Sequence, residues 1–345
     1  MNEIYPQQFG PIKSHKPAKP VFYNVGPRMT TPPLGTLPVL TEGGGRYDSD
    51  LEKQGWQEDS YWVGNYRGER REIDEEELGK ALATIPPGMH YCFNVEHWPL
   101  NIRKDDDHEV EDSIRRFRHF YKTCKKYRPD LRYSLYAFTP NRDYHSPHVF
   151  HKGWVPWMKY QKHGVESLTD TDKRNIGLVA KKTSDGEYEW NHEGKYVVRF
   201  REWQKANDRL TFGFRDNKKL VHTWGLVDAL DFLCPSLYDF YEGDDTEAYV
   251  YWNIMEARRM GGRKKIYPFV WPRYHNSNKK VGGQTIPLDE WRFHVRRVLK
   301  YADGCVVWGA KEEHDEHVWI ALDEAERAVS NRDGTEIITY AQRDW

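Results

Sequence analysis

The chain has 345 residues, with 52 Lys and Arg against 53 Asp and Glu, for a formal net charge of -1. That balance leaves no basic field to attract nucleic acid, and no apolar run reaches the ~20 residues of a membrane-spanning helix. Mean hydropathy is low at -0.91, yet aromatics make up 14% of the chain, with 14 Trp and 22 Tyr. Rings must therefore supply much of the core, and their number leaves faces for a ligand. The first residues lack the basic and apolar regions of a secretory leader. Synthesis in the cytoplasm is expected, with release or incorporation into a virion as routes to an external substrate. Cys92, Cys124, Cys234 and Cys305 lie far apart and form no CxxC pair, so they are expected as reduced thiols rather than disulfides or zinc ligands.

In chain order, residues 1–19 are rich in Pro, Lys and Gln and read as an arm. Val21–Val25 is a short strand, and a Pro/Gly-rich loop is expected from there through Gly43-Gly44-Gly45. Ser60–Tyr66 reads as another strand. Leu78, Ala81, Leu82 and Ile85 then mark one face of a helix over Glu75–Ile85, stopped by Pro86-Pro87-Gly88. His90–Val95 is a strand running into Glu96. Val110, Ile114, Phe117, Tyr121, Cys124 and Tyr127 line one side of a long helix ending at Arg128-Pro129, and Arg132–Phe138 is the next strand. Later the alternation resumes with strands at Leu230–Tyr238, Lys265–Trp271 and Gly304–Trp308. The helices between and after them are Thr246–Met260, Leu288–Tyr301 and His317–Val329. This order is that of parallel βαβ units.

The expectation is a single (β/α)8-type (TIM) barrel over residues 20–330, distorted by an insertion around residues 140–202 that includes a hairpin at Glu187–Val198. Residues 331–345 form a C-terminal tail. In such a barrel the C-terminal strand ends meet at one face. Glu96, Tyr238-Asp239, Trp271 and Trp308 each close a strand. Residues two apart in a strand share a direction, so Asn94 and Glu96 should face the mouth while Val95 faces the helices. A carboxyl held near Trp98 and Trp308 would have its pKa raised, suiting it to protonate a leaving oxygen. The structural alternative is that Glu96 caps a helix or pairs with Arg103.

Several segments together resemble the hyaluronidase family, family 56 of the glycoside hydrolases. They are Phe22-Tyr23-Asn24-Val25-Gly26-Pro27, Asn94-Val95-Glu96-His97-Trp98-Pro99-Leu100, Tyr133–Phe138, Leu233–Tyr238 and Gly304–Gly309. The resemblance implies a retaining mechanism in which the substrate's 2-acetamido oxygen is the nucleophile. It implies Glu96 as general acid/base, Tyr238 as a holder of the acetamido group and Trp308 as the wall beneath the sugar. Tyr144 is the nearest match to a further active-site tyrosine. Where the family has Asp two residues before its acid, this chain has Asn94. Three readings stay open at this point. Asn94 acts through its amide; or another carboxylate (Asp239, Glu242 or Asp231) serves as nucleophile or base; or the barrel binds sugar without cutting it. In the second case a carboxyl separation of ~5 Å would mark a retaining pair and ~6.5–9.5 Å an inverting one.

The expected function is thus an endo-acting glycoside hydrolase on a polysaccharide. The catalytic set is Glu96, Asn94, Tyr238 and Asp239. Substrate contacts are expected from Trp98, Tyr136, Tyr144, Tyr241, Trp271 and Trp308. No cofactor, metal, nucleic acid or membrane partner is expected, and oligomeric state is not legible. The alternative is a non-catalytic carbohydrate-binding barrel within a larger assembly such as a phage particle. His145, His148 and His151 recur at intervals of three, but Pro147 among them breaks any regular helix face and no partner carboxylate is identifiable. They read as solvated or sugar-contacting rather than as zinc ligands.

Overall fold

The computed structural model describes residues 21–24, 37–41, 62–63, 72–83, 85, 87–95, 98–101, 105–141, 159–160, 163–175, 178–182, 188–190, 195–212, 225–242 and 247–308. Its strands are β1 Val21–Asn24, β2 Leu37–Thr41, β3 Trp62–Val63, β4 Glu72–Ile73, β5 His90–Phe93 and β6 Arg132–Leu135. There follow β7 Leu178–Lys182, β8 Tyr188–Trp190, β9 Phe232–Leu233, β10 Lys265–Ile266, β11 Phe269–Val270 and β12 Cys305–Val307. The helices are α1 Glu75–Ala83, α2 Asp107–Tyr127, α3 Asp170–Asn175, α4 Lys195–Phe212, α5 Leu226–Ala229, α6 Glu247–Gly261 and α7 Leu288–Tyr301. None of the described helices is long and apolar enough to cross a membrane.

Capping sets the helix starts. The Asp74 carboxylate accepts from the N–H groups of Glu76 and Glu77 at 3.0 and 3.1 Å, and that of Asp106 accepts from His108 at 2.9 Å. Acidic residues in the first turn and lysines in the last turn of α2 complement its dipole. Helix α7 has the bounds expected from its periodicity, and Trp291, His294, Val295, Val298 and Leu299 form its buried stripe.

The main sheet has six strands in the order β11-β12-β1-β2-β5-β6, and every pairing in it is parallel. A separate parallel pair joins β10 to β9. These ladders do not by themselves close the expected barrel. Isolated parallel bridges extend them: Tyr136 pairs with Cys234 and Ser236 with Phe269, leading from beyond β6 through 234–236 to β11. Backbone bonds follow the same path, with Ala137 N–H donating to Cys234 O at 3.0 Å and Leu237 N–H to Phe269 O at 2.8 Å.

The strands separate two kinds of core. Tyr91, Phe93, Val95, Tyr133, Leu135, Leu233 and Ile266 pack with residues of α1, α2, α5 and α6. Val270, Cys305 and Val307 pack with α6 and α7. The alternate residues Cys92, Phe232, Cys234, Tyr267, Phe269 and Val306 form a cluster of their own on the opposite face. Helices therefore cover one side of the strands, and the other side carries an aromatic and thiol interior. All four cysteines are buried without a disulfide, and burial pushes the Cys305 thiol up to about 12.

Several expectations are corrected. The stretch after Val25 was read as loop, yet it contains β2, paired with β1 and β5. Pro38 is tolerated there because the register with β5 begins only at Val39. The strand at Trp62 lies outside the main sheet, in an antiparallel pair with β4. A hairpin does form in the insertion, but between β7 and β8, and α4 already begins at Lys195 within the stretch expected as hairpin. That helix joins the outer layer beside α5 and α6, with Trp203 and Leu210 fully buried. The helix expected at 317–329, the arm, the tail and the 43–45 glycines lie outside the described residues.

Candidate active site

At their C-terminal ends the strands leave a set of polar and aromatic side chains on the interior face. Asn94 follows β5 by one residue, and Val95 is buried among the helix-side residues, as period-two alternation requires. Tyr136 and Tyr238 lie with ring centroids 6.1 Å apart. Tyr238 and Trp271 are 5.7 Å apart, Tyr136 and Phe269 4.9 Å, and Phe269 and Trp308 6.3 Å. The Tyr136 hydroxyl donates to Ser236 Oγ at 3.1 Å. Tyr136, Trp271 and Trp308 remain half-buried, while Tyr238 is only 6% exposed. Four residues singled out from the sequence, Tyr136, Tyr238, Trp271 and Trp308, thus belong to one interior face.

Below this rim the interior is lined by rings and thiols. His90 meets Phe232 and Tyr267 edge-on at 5.1 and 6.0 Å. Burial, then the nearby Arg132 charge, lowers its pKa, and burial raises that of Tyr267. The rim is different. The buried Oδ1 of Asn94 has no hydrogen-bond partner within the protein. A buried carbonyl oxygen left unpaired costs about 1–3 kcal/mol, so a donor from outside the chain would be held there favourably.

No family model matches the sequence, and no curated protein matches it. Among solved structures, bee venom hyaluronidase in complex with a hyaluronic acid tetramer is similar at 14% identity and a TM-score of 0.43, covering 91% of this chain and 96% of that one. A monoclinic form of the same enzyme gives 14% identity and 0.44 over 90% and 97%. A GH18 chitinase from Pseudoalteromonas aurantia gives 9% and 0.38 over 84% and 77%. These are TIM-barrel glycoside hydrolases. Likeness at this level leaves the chemistry to the residues themselves.

Other expected site residues are placed elsewhere. Trp98 is 2% exposed, with its ring set edge-on against Phe117 and Phe120 of α2 at 4.8 and 6.3 Å. It is a helix-side core residue and offers no face to a sugar or to a carboxyl at the mouth. Asp239 is 4% exposed and turned to the helix layer, its Oδ1 3.2 Å from Nδ1 of His294 on α7. Its neighbour Tyr238 takes the interior face, so Asp239 cannot. Asp231 lies before β9, where it pairs with Lys125 at 2.7 Å and accepts from the Tyr133 N–H at 2.8 Å, at the opposite end of the strands. Glu242 is on the surface, paired with Lys280 at 3.0 Å. None of the carboxylates weighed as a second catalytic group therefore faces the interior rim. Tyr241 is exposed at 39%, with its ring centroid 6.4 Å from that of Phe240. Glu96, Tyr144, His145, His148 and His151 lie outside the described residues, and no metal-holding cluster occurs among the described ones.

One neighbour of Tyr238, His275, is not singled out by the sequence. His275 has its ring centroid 6.0 Å from that of Tyr238 and stacks on Phe240 at 4.6 Å. The available signal was modest: a histidine four residues past the strand-ending Trp271, followed by the turn-forming Gly282-Gly283.

Proposed function

We propose that this chain is a (β/α)-barrel glycoside hydrolase acting on a polysaccharide that contains 2-acetamido sugars, with Glu96 as its general acid/base. The observations that carry the reading are the buried, unpartnered Oδ1 of Asn94, one residue past β5, and the ring cluster of Tyr136, Tyr238, Trp271 and Trp308, in which no described residue is a carboxylate. A site with one acid needs its nucleophile from elsewhere, and a neighbouring acetamido oxygen can serve. Glu96 is two residues beyond Asn94 in the chain, shortly after the C-terminal end of β5.

In this mechanism Glu96 protonates the glycosidic oxygen while the acetamido oxygen attacks the anomeric carbon. The leaving sugar departs and a cyclic oxazolinium forms. Asn94 Oδ1 accepts the acetamido N–H, which gains positive character as the ring closes. The Tyr238 hydroxyl holds the acetamido group, and Trp271 and Trp308 wall the sugar. Water, deprotonated by Glu96, then attacks the anomeric carbon and restores the acetamido group with net retention. The closed barrel is part of this proposal, supported by the bridges at Tyr136 and Ser236.

The test is reducing-end release from hyaluronan, chitin and an acetamido-free glucan. The first two should include a substrate, and the glucan should not be cut. Glu96→Gln should abolish turnover and keep binding; undiminished turnover would remove Glu96 from the mechanism. Cleavage of the acetamido-free glucan would remove substrate assistance. Binding without product on every polymer would instead favour the non-catalytic, carbohydrate-binding barrel.

A further inference from the structure

Beyond Trp271 the chain makes a tight excursion before α7. Arg273 and Thr285 form an antiparallel bridge, the Tyr274 N–H donates to Gln284 O at 3.0 Å, and the Gly283 N–H to Tyr274 O at 2.9 Å. The loop is fastened to the segment that follows Tyr238. The His275 N–H donates to Asp239 O at 2.7 Å, Asn278 Nδ2 to Phe240 O at 2.5 Å, and Lys280 pairs with Glu242 at 3.0 Å. A Cβ on Gly282 would lie 2.3 Å from the Asn278 backbone oxygen, and Gly283 holds a φ of +78°, so both glycines are required by the turn.

This fastening fixes the His275 ring on Phe240, with planes 29° apart, and tilted toward Tyr238. A series of rings thus runs outward from Tyr238, 6% exposed, through His275 and Phe240 to Tyr241, 39% exposed. The polarity of His275 is also set. The Ser277 N–H donates to its Nδ1 at 3.2 Å. Ser277 Oγ lies 2.7 Å from the same nitrogen, and when Nδ1 accepts from both Ser277 groups the neutral imidazole carries its proton on Nε2. The half-buried ring therefore carries an N–H donor at its far edge.

We propose that His275 and Tyr241 form a further sugar-binding position beside the reacting one, taking the next pyranose of the same polysaccharide. The proposal rests on the reading of the chain as a polysaccharide-binding protein. A pyranose presents C–H groups on its faces and hydroxyls around its edge. The Tyr241 ring meets the first, and the Nε2–H of His275 meets a hydroxyl oxygen.

The experiment is calorimetric binding of N-acetylglucosamine oligomers and hyaluronan oligomers, from the disaccharide upward, to the full chain carrying Glu96→Gln. Added His275→Ala or Tyr241→Ala should leave the shortest ligand that binds unchanged and weaken longer ones about three- to tenfold, the equivalent of one lost hydrogen bond or ring contact. A merely structural role for His275 would weaken every length alike. Equal loss at all lengths, or none at any length in both variants, overturns the proposal. Tyr241, exposed at 39%, keeps the test decisive if His275→Ala disturbs folding. Failure of the Glu96→Gln chain to bind any of these sugars would instead overturn the underlying polysaccharide reading.

Discussion

The carboxylate of Glu256 offers a test of how the strand-end loops are held. It is 2% exposed and accepts from Arg259 Nε and Nη2 at 2.8 and 2.7 Å, from Asn207 Nδ2 at 3.1 Å and from Gln204 Nε2 at 3.3 Å. The chain of bonds continues, since Asn207 Oδ1 accepts the Asn141 N–H at 3.0 Å and Asn141 Nδ2 donates to Leu100 O at 2.8 Å. Helices α6 and α4 are thereby tied to the segments that follow β6 and β5. Glu256→Ala removes the ion pair with Arg259, whose side chain is 36% exposed, so solvent screening limits that loss to about 1 kcal/mol. It also strips the acceptor from Asn207, which is fully buried, for about 1–3 kcal/mol more. The expected destabilisation is about 2–4 kcal/mol, read from the urea midpoint by tryptophan fluorescence with the slope unchanged. Glu256→Gln, which retains an acceptor oxygen for Asn207, should lose about 1 kcal/mol. Equal losses for Ala and Gln, or a loss below about 1 kcal/mol for Ala, would refute the assignment of the buried amide as the larger contributor.

Trp98→Ala empties a site between Phe117 and Phe120 and should cost about 3–5 kcal/mol in the same assay. Trp98→Phe should recover much of that stability with unchanged sugar affinity, whereas a selective loss of affinity would restore Trp98 to the site. Gly282→Ala should lower Tm, because its Cβ meets backbone rather than a movable side chain; a Tm equal to wild type would show that the turn can open. His90, whose folded pKa lies below the ordinary value, gives stability fully present above about pH 6.5. That stability falls as pH drops toward the folded pKa, because the unfolded chain takes up the proton first. The wild-type urea midpoint minus that of His90→Phe should therefore decline between neutral and mildly acidic pH, and a flat difference would exclude His90 as a source of acid sensitivity.

Much of the fold was legible because its helices have one apolar stripe each and clear stops. Helix α7 shows this best, with Pro287 before it and Trp291, Val295, Val298 and Leu299 in phase. Strand β2 was not legible, since Pro38 among nearby glycines and prolines reads as loop until the register shows it lying beyond the second neighbour. Helix α4 was hidden by its charge; Trp203, Ala206 and Leu210 keep helical spacing, but they are sparse. At the site, alternation along the strand sends Val95 to the helices, where it is buried. The same rule applied to Tyr238 and Asp239 would have sent the carboxylate to the helices, where it meets His294. Trp98 shows the limit of that rule: past the strand end, proximity to Glu96 in sequence carries no direction. His275 carries only a weak signal in the sequence, because the loop's bonds to Asp239 and Phe240 are what bring it to Tyr238.

The division between the two faces of the strands has a consequence for how such a chain can change over time. Cys92, Tyr136, Tyr238 and Trp271 pack with one another and with the interior, while Phe93, Leu135 and Val270 answer to the helices. Substitutions at the first set can retune the lining of the mouth with little disturbance to helix docking, and substitutions at the second set can drift in volume without touching the lining. A randomised library confined to interior-facing positions should therefore hold a far larger folded fraction with altered ligand preference than one of equal size spread over both faces.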